Sequence, residues 1–269
     1  MSAEEPRVRY EHTDHVVTLT LNRPEELNAF SEPAMIEAFL DAIARIRADR
    51  SVRAVVLTGA GKAFSAGGNV KHMRDKTDMF AGTAADIERA YADGIHRVPP
   101  ALDGLEVPVI AAVNGAAYGA ALDLVCLCDI RLAAPQASFG APFVKIGIAP
   151  GDGAAWFLAR AVGEQAAAEM LFTGEPIDAD KAHAIGLVAR IVEPARLVEE
   201  AQSLAHRIAA NAPQAVRLTK RLLRAQRFQT LPEHLSQCAA YQAILHGTAD
   251  HTEALAAFFE KRPAIFRDG

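Results

Sequence analysis

The hydrophobic positions follow two periods. Val16-Val17-Thr18-Leu19-Thr20-Leu21 is an unbroken apolar and β-branched run closed by Asn22-Arg23-Pro24, which marks a buried strand. Ala54–Leu57, Val109–Val113, Ile130–Ala133 and Val188–Val192 repeat the pattern; the first of these runs into Thr58-Gly59-Ala60-Gly61 and the second into Asn114-Gly115. Between them the spacing turns helical: Ile36, Phe39, Leu40, Ile43 and Ile46 share one face of a helix for which Ser31 is the expected N-cap, with Pro33 in its first turn. Short strands alternating with helices predict an α/β body with right-handed crossovers and a largely parallel sheet. From Pro194 the strand pattern stops. Ala195–Ala210, Pro213–Gln226, Pro232–His246 and Thr248–Lys261 read as helices, the first with Leu197, Ala201, Leu204, Ala205 and Ile208 on one side. The chain therefore divides into an α/β core over 1–194 and a helical region over 195–269, whose apolar stripes must be buried on its own body or on another subunit. The charged stretch Lys71–Thr83 reads as a mobile loop.

Composition narrows the class. Of 269 residues 51% are hydrophobic and 23% charged, a globular balance with enough apolar material for a large core. A net charge of −5 gives no general affinity for nucleic acid. Val107–Leu127, the longest strongly apolar stretch, is interrupted by Asn114, Gly115, Gly119 and Asp123, which a bilayer span would avoid, so no membrane association is expected. Met1–Arg9 has no apolar signal core. The three cysteines, Cys126, Cys128 and Cys238, fit neither a disulfide framework nor a zinc site, and with no HExxH pair or carboxylate cluster no metal is expected. A cytoplasmic protein is the expectation.

Two glycine-rich turns carry the candidate chemistry. Ala66-Gly67-Gly68 follows one strand region and Gly119-Ala120-Ala121 another, each where a helix should begin. Residues this small let a ligand approach the main chain, and N–H groups at a helix start point outward. Taken alone, either could be a tight β-to-α turn with no ligand. Together, two amides aimed at one thioester oxygen would stabilise an oxyanion without a titratable group.

These turns, with Leu21-Asn-Arg-Pro-Glu-Glu-Leu-Asn-Ala-Phe30, Ser138-Phe-Gly-Ala-Pro142, Gly147-Ile-Ala-Pro-Gly151, Leu171-Phe-Thr-Gly-Glu-Pro-Ile177, Ala184-Ile-Gly-Leu-Val188 and Phe258-Phe-Glu-Lys-Arg262, resemble the crotonase (enoyl-CoA hydratase/isomerase) superfamily over nearly the whole chain. The resemblance implies a spiral of ββα repeats followed by a helical trimerisation region, a homotrimer or dimer of trimers, and an acyl-CoA thioester substrate. Coenzyme A would be part of that substrate, with no separate cofactor. The oxyanion amides would be those of Gly68 and Ala120, the latter standing where the family often has glycine. The coenzyme contacts would be Arg23, Leu27, Gly68, Asn69, Val70 and Lys71, with Phe258 and Lys261 reaching a neighbouring subunit's coenzyme.

The carboxylates depart from the family pattern. Two-glutamate hydratases carry one glutamate where this chain has Asp123, which some isomerases of the family share, and the second where this chain has Phe143. A phenyl ring moves no proton, so the two-glutamate mechanism cannot operate unchanged. Asp152, in Pro150-Gly-Asp-Gly153, is the nearest replacement; certain dienoyl-CoA isomerases place an acid one position earlier. Asp152 could equally be an N-cap for the helical run Ala154–Val162. Asp129 reads as a structural acid and His72 as a solvated surface residue. The resulting expectation is an enoyl-CoA hydratase or isomerase with Asp123 as acid/base and Asp152 as a second acid. The alternatives are an acyl-CoA-binding protein without turnover, and a decarboxylase or C–C hydrolase sharing the enolate.

Overall fold

The computed structural model describes residues 5–267; the first four residues of the segment read for an export signal lie outside it. Strands β1 (Val8–Thr13) and β2 (Val16–Leu21) form an antiparallel hairpin whose two turn residues, Asp14 and His15, both take positive φ, as a two-residue turn matched to strand twist requires. Next to β2 come β3 (Ala54–Gly59), β5 (Val109–Val113), β7 (Ile130–Ala133) and β10 (Arg190–Ile191), all parallel, in the order β1-β2-β3-β5-β7-β10. The final strand is shorter than the apolar run 188–192 suggests, because Val188 belongs instead to the turn that packs on the helix Ala179–Ala184.

Both faces of this sheet are buried, and strand alternation explains how. Val17, Leu19, Leu21, Val55, Leu57, Val109, Ala111 and Val113 point into the main core. Val16, Ala54, Val56, Ile110, Ala112 and Leu132 point the other way, against Leu197, Ala201, Ala205 and Ala209 of the helix Leu197–Ala209. The first C-terminal helix thus buries its stripe on its own sheet. The helix Leu231–His246 has no buried residue, and Leu231, Leu235 and Ile244 lie exposed on it.

A second sheet was not legible in the pattern. Strands β4 (Ala63–Ser65), β6 (Ala116–Tyr118), β8 (Ser138–Gly140) and β9 (Ile177–Asp178) run in that order, with β4, β6 and β8 mutually parallel. β4, β6 and β8 each follow a strand of the large sheet after a turn, so the body is built of repeated strand–strand–helix units. Ser31 does not cap the helix Pro33–Ala48; Glu32 occupies the cap position and the buried Ser31 hydroxyl is used elsewhere. The segment 71–83 is mostly ordered rather than looped: it holds the helix Val70–Asp75 and a single turn at Asp78–Phe80. No helix of the described residues is long and apolar enough to cross a membrane.

Candidate active site

The three parallel strands of the small sheet deliver three chain segments to one place. After β4 comes the turn 66–69 and the helix Val70–Asp75. After β6 comes Gly119 and the helix Ala120–Leu127. After β8 comes the turn of helix Pro142–Ile146 that carries Phe143. Because β6 pairs with both β4 and β8, the three are neighbours.

Hydrogen bonds fix the first turn almost completely. Ala66 N–H donates to the Leu27 carbonyl (2.9 Å), Gly67 N–H to Ser65 Oγ (3.1 Å) and Asn69 N–H to Ser31 Oγ (2.9 Å). Gly68 N–H is the exception, with no protein acceptor among the described residues. The Gly67 carbonyl accepts from Phe30 N–H (2.8 Å), and in a trans peptide this turns the Gly68 N–H the opposite way. The second turn has the same logic. Gly119 N–H is held by the Gly140 carbonyl (2.9 Å), and the Gly119 carbonyl accepts from Leu122 N–H (2.8 Å), while Ala120 N–H has no protein acceptor among the described residues. Gly119 takes φ 54°, ψ −127°, which only glycine adopts without strain. Gly67 packs so closely on this turn that a Cβ would lie 2.2 Å from the Tyr118 carbonyl oxygen and 3.4 Å from the Ala120 nitrogen.

The Gly68 and Ala120 residues border a chamber of about 40 Å³ whose wall also includes Phe143, Tyr91 and Asp152. Met73, Phe80, Tyr91 and Ile148 also line an adjoining open cleft of about 730 Å³.

Asp123 sits one turn into the helix Ala120–Leu127 and is 3% exposed. It is not in the chamber wall; Asp152 is. Both oxygens of Asp123 and Oδ1 of Asp152 are buried with no hydrogen-bond partner among the described residues. Burial pushes the Asp123 carboxyl well above the usual range, and the charge of Asp152 and a hydrogen bond to it push the same way. Burial raises Asp152 too, offset in part by its own backbone N–H, the hydrogen bond from Asp123 and nearby His96. The raised Asp123 carboxyl favours its protonated form beside Asp152. Asp152 makes no cap: the helix Ala154–Val162 starts from Gly153, without a side-chain cap bond.

The residues singled out for coenzyme contact fall in three places. Asn69 caps the helix Val70–Asp75, accepting from Lys71 N–H (3.1 Å), and Val70 and Lys71 are exposed on its first turn. Arg23 and Leu27 lie on an adjacent turn, tied to the Gly68 turn through Leu27 and through Asn28. The Asn28 side chain is fully buried and donates to the carbonyls of Ala60, Ala63 and Phe64. Phe258 and Lys261 are exposed at the end of the last helix and line neither the chamber nor the cleft of their own chain. His72 is not merely solvated: Asn69 Nδ2 donates to its Nε2 (3.1 Å), so its Nδ1 donates to Asp78 (2.6 Å). Asp129 accepts from Val109 N–H (2.7 Å) and pairs with Lys220 (2.7 Å), away from the chamber.

Tyr91 and His96 escaped the sequence reading. The Tyr91 ring lies against Gly151, and burial followed by the Asp152 charge raises its hydroxyl's pKa. His96 Nε2 bonds the Gly151 carbonyl (2.6 Å). The signal that could have found Tyr91 was the spacing Ile87, Tyr91, Ile95 along one side of the segment after Thr83.

Comparison with known proteins places this geometry. The profile of the enoyl-CoA hydratase/isomerase family matches residues 11–269. A short-chain-enoyl-CoA hydratase of Clostridium acetobutylicum is 37% identical, covering 92% of each chain. An (E)-benzylidenesuccinyl-CoA hydratase of Thauera aromatica is 35% identical, over 97% of this chain and 98% of that one. The crystal structure of an enoyl-CoA hydratase from Bacillus anthracis superposes with a TM-score of 0.91 at 33% identity, covering 98% of this chain and all of that one.

Proposed function

The chain belongs to the enoyl-CoA hydratase/isomerase family, and from that premise we propose that it binds a 2- or 3-enoyl-CoA and hydrates or isomerises it through an enolate, using Asp123 and Asp152 in place of two glutamates. What supports the reading most is the juxtaposition of two unbonded amides and the Asp152 carboxyl around one small chamber, with the buried Asp123 carboxyl behind it. The thioester oxygen would accept from Gly68 and Ala120 N–H. In a water-excluded site, each such donor contributes about 10²–10³ to the rate.

In hydration, the oxygen of water bonds C3 as its proton passes to Asp152. The C2–C3 π electrons move onto the thioester oxygen, and the enolate then takes a proton at C2 from the carboxyl pair. The pair returns to its starting protonation, and the product has gained one water. In isomerisation the same pair removes a proton from one carbon and returns it to another, with no water added. Phe143 favours this second course, since its ring offers an incoming water no hydrogen bond in the chamber wall.

We further propose that Asn69, Val70, Lys71, Arg23 and Leu27 hold the coenzyme moiety. The exposed Leu235, Ile244, Phe258 and Phe259 would be buried by further copies of the chain in a trimer or a dimer of trimers, with Phe258 and Lys261 reaching a neighbour's coenzyme. The experiment is incubation with 2-enoyl- and 3-enoyl-CoA, followed by absorbance of the conjugated thioester and by mass. Hydration removes the absorbance and adds one water; isomerisation of the 3-enoyl substrate creates the absorbance at constant mass. Binding of the thioesters with neither change would make the chain a binding protein without turnover.

A further inference from the structure

The two spaces at the site differ in size and character. The chamber beside Gly68 and Ala120, about 40 Å³, has room for the reacting carbons and little else. Beyond Met73, Phe80, Tyr91 and Ile148, which border both spaces, the cleft opens to about 730 Å³. Clefts of about 300–1,000 Å³ are the size that encloses a whole drug-sized ligand.

The cleft walls are side-chain hydrocarbon. Val70 (58% exposed), Ile146 (50%) and Ile148 (37%) are left bare to solvent on them, beside half-buried Ile87 and Phe80. Bare aliphatic side chains gathered on one concave surface mark a place that an apolar partner covers. The polar side chains available are the Tyr91 hydroxyl and two rim cations, Arg74 and Lys76, of which Arg74 is already paired with Asp75. A pantetheine arm, with two amides to satisfy, is poorly matched to such walls. Of the residues proposed for the coenzyme, Val70 borders the cleft at its edge with the Gly68 turn, and Arg23, Leu27, Asn69 and Lys71 line none of it. The coenzyme therefore leaves the chamber on one side of Gly68, and this cleft receives the other end of the thioester.

We infer that the acyl group this chain accepts is a bulky hydrocarbon, a chain of about eight carbons or more or one bearing a ring, whose distal part lies between Ile87, Phe80, Ile146 and Ile148. The inference rests on the acyl-CoA reading above. A four-carbon acyl group would end within the chamber and leave the cleft walls wet.

Saturated thioesters, which carry no double bond to hydrate or shift, separate binding from reaction. By calorimetry the full-length protein is expected to bind octanoyl-CoA at least about 10-fold more tightly than butyryl-CoA, since each methylene taken fully from water strengthens binding roughly fourfold. Ile87→Trp and Ile146→Trp, both filling the cleft from half-exposed positions, are each expected to shrink that ratio severalfold. Equal affinities for the two thioesters, or a ratio that neither substitution changes, overturns the inference. Chain-length-dependent binding with no turnover of any enoyl-CoA would uphold the cleft and overturn the reaction instead.

Discussion

Two acids close together in the chain, Asp123 and Asp129, have opposite surroundings: the first is buried and the second exposed. Asp129 accepts from Val109 N–H and pairs with Lys220, itself 5% exposed, and with Arg224 (3.5 Å). It joins the second half of the helix Pro213–Ala225 to the start of β5. Asp123 has no protein donor among the described residues, and burial, then the charge of Asp152, pushes its carboxyl well up. An acid whose charge is paired stabilises a fold; a buried one without protein donors costs stability and is a candidate for chemistry.

The largest effect should come from the acid that faces the chamber. Asp152→Ala is expected to lower kcat by about 10²–10⁴ with thioester binding retained, read from initial rates and calorimetry. An unchanged rate would place Asp152 with Asp129 as a structural acid. Next, Ala120→Pro deletes one amide at the first helical position, where proline is tolerated, and should reduce kcat by about 10²–10³ while far-UV dichroism stays that of the parent.

On the structural side, Lys220→Met leaves Asp129 without its closest cation and should cost about 1–2 kcal/mol in denaturant unfolding. A loss well under 1 kcal/mol would mean that Arg224 and the Val109 amide suffice. The smallest effect has the opposite sign. Asp123 holds its proton more tightly folded than unfolded, so its contribution is fully present below the ordinary aspartate range. It is lost as pH rises through the raised folded value. Asp123→Asn removes that loss, and its melting temperature should exceed the parent's by a few degrees at pH 8 and match it near pH 4. A variant less stable at both would contradict the raised carboxyl.

The contrast also shows what a sequence can carry. The strands of the large sheet were legible because Val16–Leu21 and Val109–Val113 are buried on both faces and so run apolar without interruption. The hairpin strand β1 alternates with exposed Arg9 and Glu11 and leaves a weaker mark. Strands β4, β6 and β8 have three residues each, too few to show a period, although they are what sets the Gly68 and Ala120 turns side by side. Ser31 carries the chemistry of a cap, but its hydroxyl accepts from Asn69 N–H, a tertiary partner that no local rule discloses. The two glycine-rich turns were readable from their small residues, and the family resemblance singled out Gly68 and Ala120 within them. Both acids were named from the sequence, but their closeness was not legible, since Asp152, in the turn before the helix Ala154–Val162, nears Asp123 only through tertiary packing, and a capping role was its local alternative.

Exchange of the C2 protons of a saturated thioester with heavy water tests the central claim most directly, because it needs an enolate held by the two amides and a base beside it, and nothing else. Butyryl-CoA incubated with the protein in deuterium oxide should take up deuterium at C2, and Asp152→Asn should slow the uptake by at least about 100-fold. Exchange that proceeds equally in the variant, or no exchange in the parent protein with the thioester bound, would contradict the account.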